Sequence, residues 1–325
     1  MGSENLDSEH AVMGSISLTH TLSSPIPVIL AVVAAARCEG NRFHIAGMAR
    51  IVVIFDFDRT IIDGDSDNWV VTQMSLIQLF HQLLPTMSWN SLMNRMLEEL
   101  HLQGKTTEDI AQCLKRTPLP PPIISAIKSA FSIGCDLRIV SDANQFFIET
   151  ILKHHGLLSC FKEIITNPTF IDEEGRLRII PYHDFRSSPH GCNLCPPNMC
   201  KGLIVEQIQA SASTDGNKTL IYLGDGKGDY CPSLKLREVD HVMPREKFPL
   251  WERIHDNPML VKAKVHGWSS GEELEMTLLR VISTILANDC NANCDYILTD
   301  SSDCKVRYMP PATLESSPQT PPTHH

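Results

Sequence analysis

The sequence predicts an α/β fold in which a parallel sheet carries helices on both faces and a helical cap is inserted after the first strand. Apolar, β-branched runs that suit buried parallel strands alternate with stretches of helical periodicity. Three of these strand-like runs end in polar side chains, and in open α/β sheets such strand ends form the ligand crevice. The polar residues are Asp56 and Asp58, Ser141 and Asp142, and Asp225 and Asp229.

The first predicted strand is the run IVVIFDFD at 51–58, which ends in two acids. From Trp69 to about Lys115 apolar residues recur every three or four positions, as in amphipathic helices. The proline cluster at 118–122 ends that block, and a helix is predicted at 123–131. We expect the helical block of about 70–134 to be the cap.

Downstream of the cap, strands and helices are predicted to alternate to about residue 230. The expected elements are a strand at 135–144, a helix at 146–154, a short strand near 161–165, a hairpin at 172–180, a helix at 201–210, and a strand with a glycine-rich acidic loop at 219–230.

The chain is expected to hold one folded domain over 48–290, between an N-terminal extension, 1–47, and a flexible tail, 291–325. The extension is rich in Ser and small apolar residues without a sustained period, so we expect disorder there. Met48 lies three residues before the first predicted strand, and it is hypothesised to be the natural start.

Composition excludes several classes of function. The chain has 325 residues, 42% apolar and 20% charged, as in ordinary soluble proteins. A net charge of −10 disfavours nucleic acid and acidic membranes as partners. The apolar run at 28–36 is far shorter than the roughly 20 residues that span a bilayer, and 1–27 lacks the basic residues of a signal peptide. The 11 scattered cysteines favour a reducing, cytoplasmic location.

Asp56 and Asp58 form the first chemical candidate. Two carboxylates at the end of a strand can act as an in-line nucleophile and as a proton donor to a leaving oxygen. Neighbouring carboxylates repel each other unless they share a cation, and Mg²⁺ is the usual cation of phosphate substrates. Taken alone, the pair is also compatible with two turn acids on a surface loop.

Three further candidates suit a phosphate ligand. The Ser141 hydroxyl can bond a phosphate oxygen, although an ordinary helix cap is the simpler alternative. Lys201, at a predicted helix start, can neutralise phosphate charge. In the loop LGDGKGD, Asp225 and Asp229 can ligate a metal while the glycines allow close backbone approach.

Together, the motifs DFDRT, VSDAN, MCKG and GDGKGD resemble those of the haloacid-dehalogenase superfamily. Longer segments, among them IVVIFDFDRTIIDGDSDNWVV, CPPNMCKGL and IYLGDGKGDYCPSLKL, resemble the phosphoethanolamine/phosphocholine phosphatase family. Within it the sequence is most similar to plant members, described as phosphocholine, pyrophosphate or thiamine monophosphate phosphatases. The similarity covers about 48–285.

The resemblance implies a phosphatase with a defined set of site residues. Asp56 would be the nucleophile, Asp58 the general acid and base, and Ser141 and Lys201 the groups that bind the transferring phosphoryl. Mg²⁺ would be held by Asp56, the Asp58 carbonyl and Asp225, with Asp229 supporting Lys201 or the metal. Asp67 and Asp142 would contact a cationic part of the substrate, such as choline or ethanolamine.

Three residues depart from the pattern of the plant relatives. Arg59 replaces a lysine, Gly64 replaces a larger residue and Lys227 stands where alanine is common. Lys227 adds a cation beside Asp225, which leads to the hypothesis that it favours an anionic substrate such as pyrophosphate.

The expected substrates are small phosphate esters. Phosphocholine or phosphoethanolamine ranks first, pyrophosphate second and thiamine monophosphate third. A non-catalytic relative that binds phosphorylated metabolites is the alternative class, and the intact Asp56 and Asp58 oppose it. A phosphoryl-transfer ATPase of the superfamily would carry Thr at position 58, and a mutase is disfavoured by the similarity of the cap. The oligomeric state stays open.

One cysteine cluster, His190, Cys192, Cys195 and Cys200, has a spacing that zinc sites use, and Cys231 could lie beside it. The second C-x2-C of many zinc fingers is absent. Reduced thiols packed beside the Lys201 loop are therefore the favoured interpretation.

Overall fold

The computed structural model describes residues 50–214 and 218–297, and a six-stranded parallel sheet lies at its centre. A separate two-stranded antiparallel hairpin follows the third strand. The sheet strands are β1 (Ile51–Phe55), β2 (Asp136–Asn144), β3 (Glu163–Asn167), β6 (Thr219–Gly224), β7 (His241–Pro244) and β8 (Lys264–Val265); the hairpin strands are β4 (Thr169–Ile171) and β5 (Leu177–Ile179).

Helices connect these strands, and a block of them separates β1 from β2. That block holds α1 (Ser66–Gln73), α2 (Ile77–Leu83), α3 (Trp89–Leu102), α4 (Thr107–Leu114) and α5 (Pro121–Ile133). The later helices are α6 (Gln145–His154), α7 (Lys201–Thr214), α8 (Tyr230–Ser233), α9 (Pro249–Asp256) and α10 (Gly271–Ile297).

The strand order β3-β2-β1-β6-β7-β8 reverses at β1. The chain first builds the sheet on one side of β1 and later returns to build the other side. Phe55, the last residue of β1, pairs with Ile139 on one neighbour and with Leu223 on the other. Such a reversal opens a crevice at the carboxyl ends of the central strands, so the polar residues that follow β1, β2 and β6 share one edge.

The β1 run forms a strand because it is buried on both sides. All five of its residues are buried, as expected for the middle of a parallel sheet, and four of them are β-branched. Val52 and Ile54 belong to one apolar core with Val205 and Ile208 of α7. Each such side chain stabilises the fold by about 1.5–3 kcal/mol, and this core holds α7 firmly against the sheet.

Specific contacts hold the helical block in place. The Trp69 indole donates to the Cys113 carbonyl at 3.0 Å and joins α1 to α4. Asn94 of α3 bonds the Ile179 amide at 2.8 Å and the Ile179 carbonyl at 2.6 Å, as a further strand would. Gly134 ends α5 with φ at +96°, a conformation that favours glycine. These contacts fix the position of α3, which begins beside the crevice.

The fold class predicted from the sequence is confirmed, and several boundaries differ. The first strand ends at Phe55, so both acids of DFD lie beyond it. β7, β8, α9 and α10 were not predicted, because their short or mixed patterns carry little periodicity. α10 runs to Ile297, which places the expected boundary at 290/291 inside a helix.

The chain divides into two compact units, residues 1–282 and 283–325, and the sheet strands belong to the first. The expectation of a disordered extension at 1–47 lies outside the described residues. Within the described ranges, every helix falls short of the length or the apolar character that crossing a membrane requires.

Candidate active site

A cavity of about 590 Å³ lies at the carboxyl ends of β1, β2 and β6. Every site residue predicted from the sequence lines it except Ser141. The predicted residues in its wall are Asp56, Asp58, Asp67, Asp142, Lys201, Asp225 and Asp229. Seven of the eight residues predicted from the sequence, which are spread over more than half of the chain, thus line one cavity.

Asp56 lies on the floor of this cavity, directly after β1. Its backbone amide donates to the Leu223 carbonyl of β6 at 2.9 Å, so the sheet fixes where the side chain begins. The Lys201 ammonium donates to Asp56 Oδ1 at 2.8 Å. Both side chains are buried, Asp56 being 4% and Lys201 3% exposed. Lys201 is the first residue of α7, so core packing of that helix positions the ammonium.

Asp229 anchors the lysine and the loop after β6. One oxygen accepts from Lys201 at 2.9 Å and from the Tyr222 hydroxyl at 2.6 Å. The other accepts from the amides of Asp225 at 3.2 Å and Gly226 at 2.9 Å. With four donors, Asp229 serves as a rigid positioning group for Lys201 and for the loop.

Gly224 makes this arrangement possible. A Cβ atom at position 224 would lie 2.6 Å from Asp229 Cγ, closer than real Cβ atoms approach. The first glycine of the GDGKGD loop is therefore required by the close approach of the Asp229 side chain.

Burial sets the electrostatics of the floor. Desolvation, followed by the charge of Asp229, raises the pKa of Asp56 well above its usual range, and Lys201 opposes that rise. Desolvation works to lower the pKa of Lys201, but the carboxylates of Asp229 and Asp56 outweigh it and raise that pKa. Lys201 stays charged, and the floor holds more acidic side chains than this one cation. Such a floor favours an added cation.

Asp58 lies at the rim, where the start of α1 holds its carboxylate. The Ser66 amide donates to Asp58 Oδ1 at 2.9 Å, and the Ser66 hydroxyl lies 3.2 Å from Oδ2. Desolvation raises the pKa of Asp58 well above its usual range, with the charges of Asp65 and Asp67 adding to the rise. The group therefore holds a proton more readily than a solvated acid, which suits a proton donor.

A metal ion fits among the acids of the floor. Carboxylate oxygens of Asp56, Asp225 and Asp229 lie within 4.8 Å of one another. The pKa of Asp225 is raised to about 7, chiefly by burial and then by Asp229. In the described part of the chain no donor bonds the Asp225 carboxylate, whereas Asp229 already accepts four hydrogen bonds. Asp225 and the second oxygen of Asp56 are therefore best placed to hold a hard divalent cation, since Lys201 occupies only Asp56 Oδ1.

Asp67 lies on another part of the wall, at the base of the helical block. It is 5% exposed, and its Oδ2 accepts from the Trp89 indole at 2.6 Å. Its Oδ1 is buried without a partner. Burial, followed by the charge of Asp65, raises the pKa of Asp67 to about 7. A buried carboxylate oxygen without a donor, beside an indole ring, is suited to a cationic group.

The two residues that follow the apolar part of β2 have different positions. Asp142 lines the cavity and lies 3.6 Å from the Lys201 ammonium, with 47% of its side chain exposed. Ser141 is fully buried, and its hydroxyl accepts from the Ala143 amide at 3.3 Å. The hydroxyl is therefore engaged locally, and it reaches a ligand only if that bond is exchanged.

Two of the three departures from the family pattern, Arg59 and Lys227, line the cavity. Arg59 has φ at +55° and pairs with Asp65 at 3.2 Å. Gly64 has open space where a Cβ would be, so a larger residue would fit there. Lys227 is exposed and lines the same cavity as Asp56, which brings its charge to the cavity wall.

Sequence reasoning missed three residues that bond the predicted site acids. Trp89 reaches the cavity from α3 and bonds Asp67, although 22 residues separate them. Tyr222 bonds Asp229 from inside β6, and Ser66 bonds Asp58. Tyr222 looks like an ordinary strand residue, and Trp89 gives no signal in the sequence. For Ser66, the signal in the sequence is its place in the first turn of a helix, where backbone amides without a partner inside the helix can bond a nearby carboxylate.

Comparison with known proteins places these residues in a family. The family model described as "Putative Phosphatase" matches residues 51–282. The chain is 61% identical over 239 residues to an Arabidopsis thaliana thiamine phosphate phosphatase-like protein, covering 73% of this chain and 98% of that protein. It is 57% identical over 257 residues to inorganic pyrophosphatase 2 of the same plant, covering 79% and 92%.

A more distant relative carries a different name. The chain is 29% identical over 265 residues to the human phosphoethanolamine/phosphocholine phosphatase, covering 78% of this chain and 97% of that protein. The resemblance inferred from the sequence motifs is thus confirmed. The relatives share the name phosphatase or pyrophosphatase and differ in the compound that the name specifies.

Proposed function

We propose that Asp56 carries the phosphoryl group as an aspartyl-phosphate. The chain belongs to the phosphatase family whose model matches residues 51–282, and it acts on phosphorylated small molecules. The observation that supports the proposal most directly is the buried Asp56–Lys201 contact of 2.8 Å on the cavity floor. It combines a fixed carboxylate with a fixed cation at the point where a phosphoryl group would be transferred.

The reaction has two steps. An Asp56 oxygen attacks phosphorus, the bond from phosphorus to the leaving oxygen breaks, and Asp58 donates its proton to that oxygen. Asp58 then takes a proton from water, whose oxygen attacks phosphorus and displaces Asp56 as phosphate leaves. The raised pKa of Asp58 supports the first role, since the group must carry a proton when the substrate arrives.

Mg²⁺ is the proposed cofactor, held by Asp56, Asp225 and the Asp58 carbonyl. When bound, it would neutralise charge on the phosphoryl oxygens. Lys201, the first residue of α7, contributes a second positive charge, and Asp229 keeps its ammonium in place. The proposed Ser141 role requires its hydroxyl to leave the Ala143 amide and bond a phosphoryl oxygen instead.

The preferred substrate is proposed to be a small phosphate monoester with a cationic leaving group, phosphocholine or phosphoethanolamine first. The unpartnered Asp67 oxygen and the Trp89 indole support this choice, because together they offer a carboxylate and an aromatic ring to a cation. Asp142 adds a second acid on the cavity wall. Thiamine monophosphate also carries a cationic ring and belongs to the same chemical class.

Pyrophosphate is the second candidate, favoured by a specific observation. Lys227 places a cation on the cavity wall, where a second phosphate group could meet it. The name of the pyrophosphatase relative agrees with this alternative. A cationic substrate is favoured by acids on the cavity wall, whereas pyrophosphate is favoured by a cation there. One panel of substrates therefore distinguishes the two candidates.

The test is phosphate release by purified protein. We would compare phosphocholine, phosphoethanolamine, thiamine monophosphate, pyrophosphate and pyridoxal phosphate, with Mg²⁺ or with EDTA. Asp56→Asn, which retains the shape of the side chain, is the matched variant. Turnover that needs Mg²⁺ and vanishes in Asp56→Asn is expected, together with acid-stable, hydroxylamine-sensitive labelling of the wild-type protein by a phosphorus-labelled substrate.

Two results would contradict the proposal. Turnover that persists in Asp56→Asn would exclude Asp56 as the nucleophile. Turnover of pyrophosphate alone would exclude the cationic-substrate assignment and leave the reaction mechanism in place.

A further inference from the structure

Four cysteines come together near the start of α7. They are Cys192, Cys195, Cys200 and Cys231, and their sulfur atoms all lie within 4.8 Å of one another. Cys231 Sγ is 3.7 Å from Cys192 Sγ and 4.0 Å from Cys200 Sγ. All four are free thiols.

We propose that these four cysteines form a structural zinc site that holds the Lys201 and Asp229 segments together. In a tetrahedral zinc–thiolate centre the Zn–S bonds are about 2.3 Å, which places sulfur atoms about 3.8 Å apart. Two of the six sulfur–sulfur distances, 3.7 and 4.0 Å, are close to that separation, and all six are within 4.8 Å. Four soft sulfur ligands in a closed set select zinc over the hard cation of the active site.

The structure changes the ligand set that the sequence suggested. His190 is not a ligand: its Nδ1 accepts from the Cys192 amide at 3.0 Å, so Nε2 carries the proton and donates to the Pro196 carbonyl at 2.9 Å. Both ring nitrogens are thus used in shaping the cysteine loop. Cys231, which is 31 positions after Cys200, takes the fourth place. Many zinc fingers have a second C-x2-C pair, and here the single distant Cys231 takes its place.

Two local features prepare the site for thiolates. Cys200 immediately precedes the long helix α7, where the helix dipole favours negative charge. Gly202 leaves room for the fourth ligand, because a Cβ there would lie 2.4 Å from Cys231 Sγ. The first turn of α7 is therefore built to accept the Cys231 sulfur at close range.

The position of the cluster explains what the metal would stabilise. Residues 180–200 form neither helix nor strand, so few backbone hydrogen bonds order them. Cys200 is adjacent to Lys201, and Cys231 lies two residues after Asp229. A zinc ion bound by both would fix the distance between the two segments that meet at the Lys201–Asp229 contact of 2.9 Å.

The experiment measures metal on the full-length protein, independently of phosphatase activity. Protein purified without chelators would be analysed by inductively coupled plasma mass spectrometry, with wild type, Cys195→Ser and Cys160→Ser compared. Cys160 is a buried free thiol outside the cluster, so its variant controls for the loss of a cysteine. We expect about one zinc per chain in the wild type and in Cys160→Ser, and a large loss in Cys195→Ser.

Three further results test the geometry. Cobalt-substituted wild-type protein should show the charge-transfer and d–d bands of a tetrahedral thiolate site, and Cys195→Ser should not. A zinc chelator should lower the melting temperature of the wild type and of Asp56→Asn equally, since the acid site is not involved. Gly202→Ala should weaken zinc retention on dialysis, because its methyl group displaces Cys231.

The proposal is overturned by less than about a tenth of a zinc per chain in protein whose four thiols react with a thiol reagent. It is equally overturned if the four sulfurs are found as disulfides, whose S–S bonds of about 2.05 Å would replace the observed separations. Zinc retained in full by Cys195→Ser would place the metal elsewhere. None of these outcomes depends on whether the chain hydrolyses phosphocholine.

Discussion

Lys201 and Asp56 form a buried ion pair, with 2.8 Å between the ammonium nitrogen and Asp56 Oδ1, although 145 positions separate them along the chain. The pair joins the start of α7 to the end of β1. Asp229 bonds the same ammonium at 2.9 Å, so one cation serves two buried acids. The structure of the floor therefore depends on the lysine as much as the proposed chemistry does.

Removing the lysine charge should weaken the whole fold. In Lys201→Met two buried carboxylates lose their partner, and breaking such a pair costs about 3–5 kcal/mol. We expect a lower urea midpoint at pH 7 and no turnover. The loss should shrink in the double variant Lys201→Met/Asp229→Asn, where one of the two charges is also removed. An unchanged midpoint in Lys201→Met would show that the ion pair contributes no net stability.

Asp58→Asn tests the proton donor and acceptor. Loss of a general acid–base group should lower kcat about 100- to 10,000-fold, with a smaller change in KM. Because the pKa of Asp58 is raised, the wild-type rate of the first step should fall as the pH rises through that pKa and the proton is lost. Single-turnover measurements across pH give both quantities. A kcat within about twofold of the wild type would remove Asp58 from the mechanism.

Asp67→Asn should stabilise the protein at high pH. The pKa of Asp67 is raised from 3.8 to about 7 by burial and then by Asp65. Between these values the folded chain holds a proton that the unfolded chain has released, so stability is lost as the pH rises towards 7. Removing the acid should recover at most about 4 kcal/mol above pH 7 and much less at pH 4. Urea midpoints at the two pH values give the difference.

The same variant tests the cationic subsite. A hydrogen bond or contact to a charged group is worth about 1.5–3 kcal/mol, so Asp67→Asn should lower kcat/KM for phosphocholine about 10- to 100-fold. Pyrophosphate, which has no cationic group, should lose little. Phe80→Leu, a change in a buried neighbour of Trp89, controls for disturbance of the cap. An equal loss for both substrates would mean that Asp67 only supports the fold.

Lys227→Ala tests which class of substrate the mouth of the cavity favours. Lys227 is exposed, so the substitution should leave stability within about 0.5 kcal/mol of the wild type. Loss of its charge should raise the ratio of kcat/KM for phosphocholine to that for pyrophosphate about tenfold. Lys247→Ala, at an exposed-loop cation outside the lining, is the matched control. If the ratio does not change, Lys227 has no part in substrate preference.

The sequence could predict which acids and which lysine line one cavity because short motifs carry them. DFDRT and GDGKGD each end a strand, and parallel strands bring their carboxyl ends to one edge whatever lies between them. That rule predicts the shared edge, whereas the strand order is known only from the structure. Asp67 was assigned by resemblance alone. The structure adds a physical reason to examine it, because one of its carboxylate oxygens is buried without a hydrogen-bond partner.

The sequence could not predict contacts that join distant segments. The Trp89 indole on Asp67 depends on how α3 packs on β5, through the Asn94 contacts with Ile179, and no local pattern encodes that packing. β8 and the start of α9 were missed because a two-residue strand and a proline-led helix leave almost no periodic signal.

By itself, the sequence determined the fold class, the family and the acids, because periodicity and strand-end motifs are local properties of the chain. Tertiary structure alone decided which groups pair: Lys201 with Asp56 and Asp229, and Cys231 with three cysteines from another loop. It also decided that His190 bonds the backbone instead of joining the thiols. Such pairings depend on packing between segments that are far apart in sequence. The paired groups come close to each other only once the sheet and α7 have packed together.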